Sequence, residues 1–422
     1  MCIRDRIDAL AARAIRVLAL ATCEQDFEGD ALPEGEWTLV GVIGIRDEVR
    51  PESVDSIRKV KAAGVQVVMI TGDRKDTATA IAKEAGLIDS EENIVLTSDE
   101  LAGLSDEQLK EMLPNIRVVA RALPSDKSRF VKIAQELNLV VGMTGDGVND
   151  SPALKKADVG FAMGGGTEVA KEASEIVILD DNFNSIQKSI LYGRTIFNNI
   201  RKFIVFQLTI NVAAVLISFI CPLLSIENPL SITQILWVNL VMDTLAALAF
   251  GGEPALEKYM QAKPKRRDEA IVSPSMWGSI LVGSLWTFGL SLVFILTPAI
   301  KNCFRVDNNE DIYHMTGYFA FFIFTAVFNA FNARTEEFNL FKDISKNKRF
   351  LQMLGLIAVV QVLLTYFGGV IFRCHGLNLV EWAVVLGLSL TIVPVDLFRK
   401  FIVKLIRDGK RRSSARMKEA KS

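Results

Sequence analysis

Six long apolar segments in the second half of the sequence constrain its fold more than any other feature. Each is about 20 residues long, the length that an α-helix needs to cross the hydrocarbon core of a bilayer. The sequence therefore predicts an all-α bundle of six transmembrane helices over residues 201–406, with the lipid bilayer as its partner. The segments are residues 203–224, 232–252, 276–300, 317–334, 350–372 and 379–403.

Lysine and arginine are concentrated in alternate loops between these segments. The loops after the second and fourth segments are basic, and so is the tail over residues 407–422. Cytoplasmic loops of membrane proteins carry such an excess. We therefore expect both termini in the cytoplasm, in a plasma membrane or a bacterial inner membrane. The basic loop residues are Lys258, Lys263, Lys265, Arg266 and Arg267, then Lys342, Lys346, Lys348 and Arg349.

The first 200 residues have a different pattern, in which short β-branched runs alternate with helix-periodic stretches. This alternation is typical of a parallel sheet flanked by helices. We expect an α/β domain over residues 37–200, and residues 1–36 resemble the end of a preceding domain. The predicted strands are residues 38–45, 65–70, 93–96, 117–120, 139–143, 158–162 and 175–179, and the predicted helices include 51–63, 75–85 and 125–136.

The balance of charge argues against nucleic acid as a partner. The 48 lysine and arginine residues are matched by 49 aspartate and glutamate residues, which gives a net charge of -1. A protein that wraps nucleic acid needs a basic excess to neutralise phosphates. Nothing in the sequence indicates an obligate protein partner either.

Thr71, Gly72 and Asp73 follow the predicted strand over residues 65–70 directly. A hydroxyl and exposed backbone N–H groups at that position can hold a phosphoryl oxygen. An ordinary strand-to-helix turn capped by Asp73 would have the same sequence. For this tripeptide alone, both interpretations stay open.

The run over residues 144–150 places Asp146, Asn149 and Asp150 in a tight glycine turn after another apolar strand. Hard oxygen ligands at this spacing suit Mg²⁺, which in turn bridges phosphate oxygens. A structural turn would require the glycines but not both acids. Lys127, at the start of a predicted helix, can neutralise phosphate charge, although a solvated lysine is the alternative.

Together these motifs resemble three of the four motifs of the haloacid dehalogenase superfamily, and residues 144–164 resemble a P-type ATPase specifically. Asp47 and Arg50 are similar to the family's hinge beside the nucleotide domain, with Glu48 and Val49 in place of its two prolines. The resemblance extends from about residue 15 to residue 398. It implies a haloacid-dehalogenase-like domain that uses ATP and Mg²⁺. The resemblance implies that Asp146 holds Mg²⁺, that Asp47 and Arg50 contact the nucleotide, and that Thr71, Gly72, Asp73, Lys127, Asn149 and Asp150 surround an aspartyl phosphate.

The family's phosphorylated aspartate lies in an Asp-Lys-Thr-Gly-Thr stretch, and this sequence contains none. The actuator domain, most of the nucleotide-binding domain and four membrane helices of the family also have no counterpart. We therefore expect a carboxy-terminal fragment of a pump, which does not hydrolyse ATP alone. On this interpretation residues 1–36 are the remnant of a nucleotide-binding domain, and residues 37–200 are an incomplete phosphorylation domain.

Polar side chains inside the apolar segments indicate a cation path. Asn239 and Asp243 are spaced i and i+4, so an α-helix would place an amide oxygen and a carboxylate on one face. A charge inside a membrane requires a cation or a partner. Asn211 in the first segment can face them, with interhelical hydrogen bonding as the alternative.

Residues 237–243 resemble the sixth membrane helix of calcium pumps. Ala214, Met242 and Ala326 occupy positions where two-site, endoplasmic-reticulum-type pumps have ligands, and plasma-membrane-type pumps share this pattern. The resemblance implies a single site for transported Ca²⁺, with Asn239 and Asp243 as ligands and Asn211 as a weaker candidate. Mn²⁺, Na⁺ and H⁺ stay open as alternative ions because related pumps bind them with similar oxygen ligands.

Two other classes of protein fit parts of the sequence. A membrane-tethered phosphatase of the dehalogenase superfamily requires an Asp-x-Asp nucleophile before Thr71, and Asp26, Asp30 and Asp47 do not supply one. A non-catalytic membrane subunit or channel would leave residues 144–150 unexplained. An ATP-driven calcium pump accounts for both halves of the sequence.

Asp396 and the two histidines are assigned no role in transport. Asp396, near the end of the last segment, is expected to pair with Arg399 or Lys400 in a structural role. His314 and His375 lie in predicted loops.

Overall fold

The computed structural model describes residues 7, 10, 15–23, 36–45, 48–307 and 311–419. The chain divides into two compact units, the first over residues up to 193 with 256–269 and the second over 194–255 with the residues from 270 onward. The first unit is an α/β unit with parallel sheets, and the second contains long apolar helices. The predicted fold class is therefore confirmed.

A two-stranded hairpin precedes the parallel sheets. Strand β1 (Arg16–Cys23) pairs antiparallel with β2 (Trp37–Ile45), and the register places Arg16 opposite Ile45. We expected residues 38–45 to open the α/β domain, but this strand takes its hydrogen bonds from β1. It therefore lies outside the parallel sheets.

The remaining strands form two separate three-stranded parallel sheets, ordered β3-β5-β4 and β6-β7-β8. Strands β3 and β6 are edge strands, and within the described residues each pairs with one neighbour only. The strand predicted over residues 65–70 is accordingly reduced to two residues, because only β5 supports it. The strands are β3 (Met69–Ile70), β4 (Ile94–Thr97), β5 (Ile116–Ala120), β6 (Gly142–Gly145), β7 (Val159–Met163) and β8 (Ile176–Ile178).

Helices cover both faces of the central strand β5. Its residues Ile116, Val118, Val119 and Ala120 are all fully buried, and such consecutive burial requires packing on both sides of a strand. Leu101 and Leu109 complete part of that core. The helices of this unit are α1 (Pro51–Ala62), α2 (Lys75–Glu84), α3 (Ser98–Ala102), α4 (Asp106–Met112), α5 (Pro124–Glu136), α6 (Ser151–Lys156) and α7 (Glu168–Glu172).

Within the described residues, six helical segments are long and apolar enough to cross a membrane, which confirms the predicted number of segments. Helix α8 continues without a break from Phe183, well before the predicted start at residue 203. The sixth segment, Leu379–Gly409, combines α13 with the first part of α14. The helices are α8 (Phe183–Leu223), α9 (Ile232–Gly251), α10 (Pro274–Leu296), α11 (Ile312–Arg334), α12 (Lys348–Phe367), α13 (Leu379–Leu390) and α14 (Ile392–Glu419).

Helix α11 is the central helix of the membrane unit, since 83% of its apolar window is buried against 28% to 33% for the other five segments. Its rings stack or pack edge to face with those of neighbouring helices, as Phe321 does with Phe294 and Phe331 with Phe350. The helix begins at Ile312, so the loop position predicted for His314 is wrong. His314 is buried, with Nε2 3.0 Å from the carbonyl oxygen of Phe294.

Both pairings expected for Asp396 are confirmed. Its carboxylate lies 2.6 Å from Arg399 Nε and 2.7 Å from Lys400 Nζ. Lys400 also donates a hydrogen bond to the backbone oxygen of Asn332, which links α14 to α11. Because all three charged side chains are buried, this cluster connects α14 to α11 inside the helix bundle.

Candidate functional site

The turn after β3 brings Thr71, Gly72 and Asp73 to the carboxyl end of a parallel sheet. The Thr71 N–H donates to the backbone oxygen of Val119 at 2.9 Å, which extends the ladder between β3 and β5. The Thr71 hydroxyl donates to Asp73 Oδ2 at 2.9 Å and accepts from the Asp73 N–H at 3.2 Å. The carboxylate of Asp73 is thus used inside the turn, while Gly72 is exposed.

Two backbone hydrogen bonds join this turn to the loop that leads into α5. The Ala122 N–H donates to Thr71 O, and the Arg121 N–H donates to Asp73 O, both at 2.9 Å. Lys127 lies in the first turn of α5. The position of that lysine is therefore fixed relative to the Thr71 turn through the backbone.

Asp150 links the loop over residues 144–150 to Lys127. Its Oδ1 lies 2.5 Å from Lys127 Nζ, and its Oδ2 accepts the N–H groups of Asp146 and Gly147 at 3.2 and 3.3 Å. Gly145 allows this arrangement, because a Cβ atom there would collide with the Asp150 side chain. The carboxylate is buried and has partners on both oxygens, so its charge is compensated within the protein.

Asp146 and Asn149 differ from Asp150 because both are exposed at the carboxyl end of β6. They offer a carboxylate and an amide oxygen, which are donors that Mg²⁺ accepts alongside water and phosphate oxygens. These residues therefore fit Mg²⁺, and the role of Asp146 as its carboxylate ligand stays a prediction. Asp150 is already engaged by Lys127 and serves to shape the loop.

The two predicted nucleotide residues have different outcomes. Asp47 lies outside the described residues. Arg50 occupies the N-cap position of α1 without a side-chain capping bond, is exposed, and donates to the backbone oxygen of Asp181 at 3.3 Å. A role of either residue toward a nucleotide stays a prediction.

In the membrane unit, Asp243 is a buried carboxylate with an incomplete set of partners. Its Oδ2 accepts a hydrogen bond from Gln207 Nε2 at 3.2 Å. Its Oδ1 has no hydrogen-bond partner among the residues that the structure describes. A buried carboxylate oxygen without a donor is costly, so the Asp243 carboxylate requires a ligand or a further partner.

Asn239 lies in a widened π-helical turn, Trp237–Met242, immediately before Asp243. The expectation that both side chains share one face assumed regular α-helix, and a π-turn changes that spacing. Asn239 is exposed, whereas Asp243 is buried. Such turns occur frequently at functional sites in helices.

An open cavity of about 710 Å³ brings Asn211 and Asn239 together. Gln207, which donates to Asp243, lines the same cavity, and so connects the buried carboxylate to the two asparagines. Sequence reasoning missed Gln207, although its i, i+4 spacing to Asn211 in an apolar helix was a signal. The lining residues are Gln207, Asn211, Ala214, Val215, Ser218, Phe219, Ile235 and Asn239.

A single cation site stays a prediction, and the three residues at the positions that lack oxygen ligands differ in their surroundings. Ala214 lines the cavity, while Met242 and Ala326 are fully buried. Within the described part of the chain, no three His, Cys, Asp or Glu side chains gather into a metal site. The polar side chains that the structure brings together here are the Asp243 carboxylate and the amides of Gln207, Asn211 and Asn239.

Comparison with known protein families assigns both units. Models described as haloacid dehalogenase-like hydrolase match residues 5–158 and 132–190, and the model described as cation transporting ATPase, C-terminus matches residues 227–402. A hydrolase domain of this kind followed by these membrane helices is the arrangement of cation-transporting P-type ATPases, and the chain is similar to that family in both units.

Within the family, the chain is similar to plasma-membrane-type calcium-transporting ATPases. It is 40% identical over 402 residues to calcium-transporting ATPase 12, plasma membrane-type, of Arabidopsis thaliana, and 38% identical over 414 residues to plasma membrane calcium-transporting ATPase 1 of Homo sapiens. These alignments cover 94% and 90% of this chain, but 38% and 34% of the relatives. The chain thus spans little more than a third of their length.

Proposed function

We propose that the protein containing this chain is an ATP-driven pump that exports Ca²⁺ from the cytoplasm through an aspartyl-phosphate intermediate. The observation that carries this proposal is the buried Asp243 carboxylate, whose Oδ1 has no described hydrogen-bond partner. Gln207 connects it to a cavity that Asn211 and Asn239 also line. One carboxylate with several amide oxygens is a donor set that suits a hard cation such as Ca²⁺.

In the cytoplasmic unit, the proposed chemistry is transfer of the γ-phosphoryl group of ATP to an aspartate. A carboxylate oxygen forms the new bond to phosphorus, the bond to the ADP oxygen breaks, and ADP leaves. The Thr71 hydroxyl, the Gly72 N–H and the Lys127 ammonium group would bind phosphoryl oxygens. When bound, Mg²⁺ supplies positive charge against those oxygens, and Asp146 would hold it.

The aspartate that accepts the phosphoryl group is proposed to come from outside this sequence, which contains no Asp-Lys-Thr-Gly-Thr stretch. Two open strand edges support this: β3 and β6 precede Thr71 and Asp146, and each pairs on one side only within the described residues. A further parallel strand between them would join both sheets. On this basis we propose that the chain does not hydrolyse ATP alone.

We also propose a multi-pass protein of a plasma membrane or bacterial inner membrane, with the α/β unit and both termini on the cytoplasmic side. The basic loops after the second and fourth apolar segments support this orientation. The similarity to plasma-membrane-type relatives supports the choice of membrane.

The test uses the complete protein encoded by the gene that contains this chain, expressed in sealed membrane vesicles. We expect ATP-dependent Ca²⁺ uptake, and we expect Asp243→Ala to abolish it. Thr244→Ala is the matched control, because Thr244 is the next residue of α9 but is exposed. Uptake of Mn²⁺ in place of Ca²⁺ would show that the transported ion was assigned wrongly. Full Ca²⁺ uptake in Asp243→Ala would disprove the assigned site.

A further inference from the structure

A second buried charged cluster lies at one end of the membrane helices and is centred on Glu253. Glu253 is 7% exposed and lies just after α9 ends. Its Oε1 accepts hydrogen bonds from Arg334 Nε at 2.6 Å and from Asn347 Nδ2 at 2.9 Å. Its Oε2 lies 3.3 Å from Lys202 Nζ. One carboxylate therefore binds two positively charged side chains and one side-chain amide.

These partners come from three neighbouring helices. Lys202 belongs to α8, Arg334 is the last residue of α11, and Asn347 caps the start of α12. The Arg334 guanidinium also donates to backbone oxygens of the loop after α11, at 3.2 and 2.8 Å. Glu253 thus joins the end of α9 to all three of these helices.

Glu253 is charged in this environment. Burial by itself would raise the pKa of its carboxyl group, but Lys202, the Asn347 amide and Arg334 more than offset burial and hold that pKa below its ordinary value. Removing the carboxylate would leave the positively charged side chains of Lys202 and Arg334 together at a buried site without a negative partner. Such a loss is far more damaging than the loss of a surface ion pair.

The same two helices, α8 and α9, are cross-linked a second time at the candidate cation site. There Gln207 of α8 donates to Asp243 of α9, while at the end of α9 Lys202 of α8 faces Glu253. The helical stretch from Asp243 to Gly251 is nine residues long, or about 13 Å. A rigid stretch of helix therefore separates the two cross-links.

We propose that Glu253 is a positioning residue for cation transport, which clamps α9 to α8 so that Asp243 is held beside Gln207 and the cavity. This inference rests on the proposed function and adds a residue that does not touch the cation. The clamp fixes the end of α9, and the helix transmits that constraint to Asp243. Loss of the clamp should therefore weaken cation binding at Asp243 from a distance.

The experiment measures Ca²⁺-dependent phosphoenzyme formation from ATP in the complete protein, with and without Glu253→Gln. We expect the Ca²⁺ concentration for half-maximal phosphorylation to rise roughly tenfold, which is typical of coupling between two sites. The maximal phosphoenzyme level per folded protein should change little. A residue that only stabilises the bundle would lower the amount of folded protein without changing the apparent affinity.

Asp396→Asn is the matched control. It removes another buried carboxylate, with Arg399 and Lys400 as partners, in a cluster that joins α14 to α11. We expect this variant to lose stability but to keep its Ca²⁺ affinity. If Glu253→Gln behaves in the same way, Glu253 has a structural role and the proposal is wrong.

Arg334→Lys is the second variant, in case Glu253→Gln does not accumulate in membranes. It keeps the positive charge but cannot hold Glu253 and the two loop carbonyls with one planar group. We expect a smaller loss of Ca²⁺ affinity, and an unchanged affinity would overturn the proposal. Absence of any cation-dependent phosphoenzyme in the unmodified protein would instead disprove the proposed function, and this inference with it.

Discussion

Asp150 in the α/β unit and Asp243 in the membrane unit are both almost fully buried, at 6% and 5% exposed. Their partners differ. Asp150 faces an ammonium group on one oxygen and two backbone N–H groups on the other. Asp243 accepts one hydrogen bond from a neutral amide, and its second oxygen has no described partner.

This difference separates a carboxylate that builds a site from one that still requires a ligand. The charge of Asp150 is compensated by Lys127, so its contribution is to fix the loop that carries Asp146 and Asn149. The charge of Asp243 is not compensated by any cation of the described chain that the structure places in contact with it. Burial alone would not have distinguished the two residues.

The largest expected effect is an opposite response of these two sites to the same substitution. Asp150→Asn leaves the Lys127 ammonium group without its carboxylate, and we expect the α/β unit to lose about 3 kcal/mol of unfolding free energy. Asp243→Asn replaces a poorly partnered carboxylate by a neutral amide, so in cation-free buffer the membrane unit should lose nothing or gain about 1 kcal/mol. Hydrogen exchange of peptides from each unit measures both.

Asp55→Asn is the control for that comparison. Asp55 is a partly exposed carboxylate on α1, and hydrogen bonds from Lys59 and Arg58 hold its pKa below the ordinary value. Surface pairs of this kind contribute little, so exchange should stay unchanged. Destabilisation of the membrane unit by Asp243→Asn would mean that the carboxylate has a structural partner, and the comparison would fail.

A smaller effect is expected at Gln207, whose amide is the described partner of Asp243. Gln207→Leu removes a hydrogen bond to a carboxylate and an oxygen from the cavity. We expect the Ca²⁺ concentration for half-maximal activation to rise about tenfold, with the maximal rate little changed. Titration of ATPase activity against free Ca²⁺ measures both quantities.

Gln361→Leu is the matched control for Gln207. Gln361 is a fully buried glutamine of α12, and neither of its side-chain polar atoms has a hydrogen-bond partner in the described structure. We expect unchanged Ca²⁺ affinity and equal or higher stability, because no hydrogen bond is lost. Equal affinity losses in the two variants would show that Gln207 acts only through packing.

The smallest effect is expected at Asn211, which lines the cavity but has no described bond to Asp243. Asn211→Ala should weaken Ca²⁺ activation about threefold, comparable to an average interhelical hydrogen bond in a membrane protein. Titration of ATPase activity against free Ca²⁺ measures this change. A loss as large as that of Asn239→Ala would promote Asn211 to an equal ligand, and no loss would leave it a structural residue.

The six apolar segments could be predicted because length and apolarity are local properties of the sequence. Asp243 was also identifiable, since a carboxylate inside an apolar helix is costly unless it binds a cation or a partner. Its partner Gln207 could not be assigned, because the two residues are 36 positions apart and meet only through the packing of α8 on α9. The same holds for Glu253, whose partners lie 51, 81 and 94 positions away.

The ends of strands were predicted less well than their existence. The strand predicted over residues 139–143 forms at Gly142–Gly145 instead, because its ladder with β7 begins at Gly142 opposite Val159. Leu139 and Val140 are apolar but exposed, so an apolar run alone gave the wrong start. Pairing across the sheet, which no single strand encodes, decided the boundary.

The open edges of β3 and β6 have a practical consequence for handling the protein. Each presents backbone N–H and C=O groups that no described strand satisfies. Such edges are templates for strand addition between molecules, so preparations of the chain should become turbid or oligomeric as concentration rises. A short peptide with the sequence of a suitable parallel strand should keep such preparations clear.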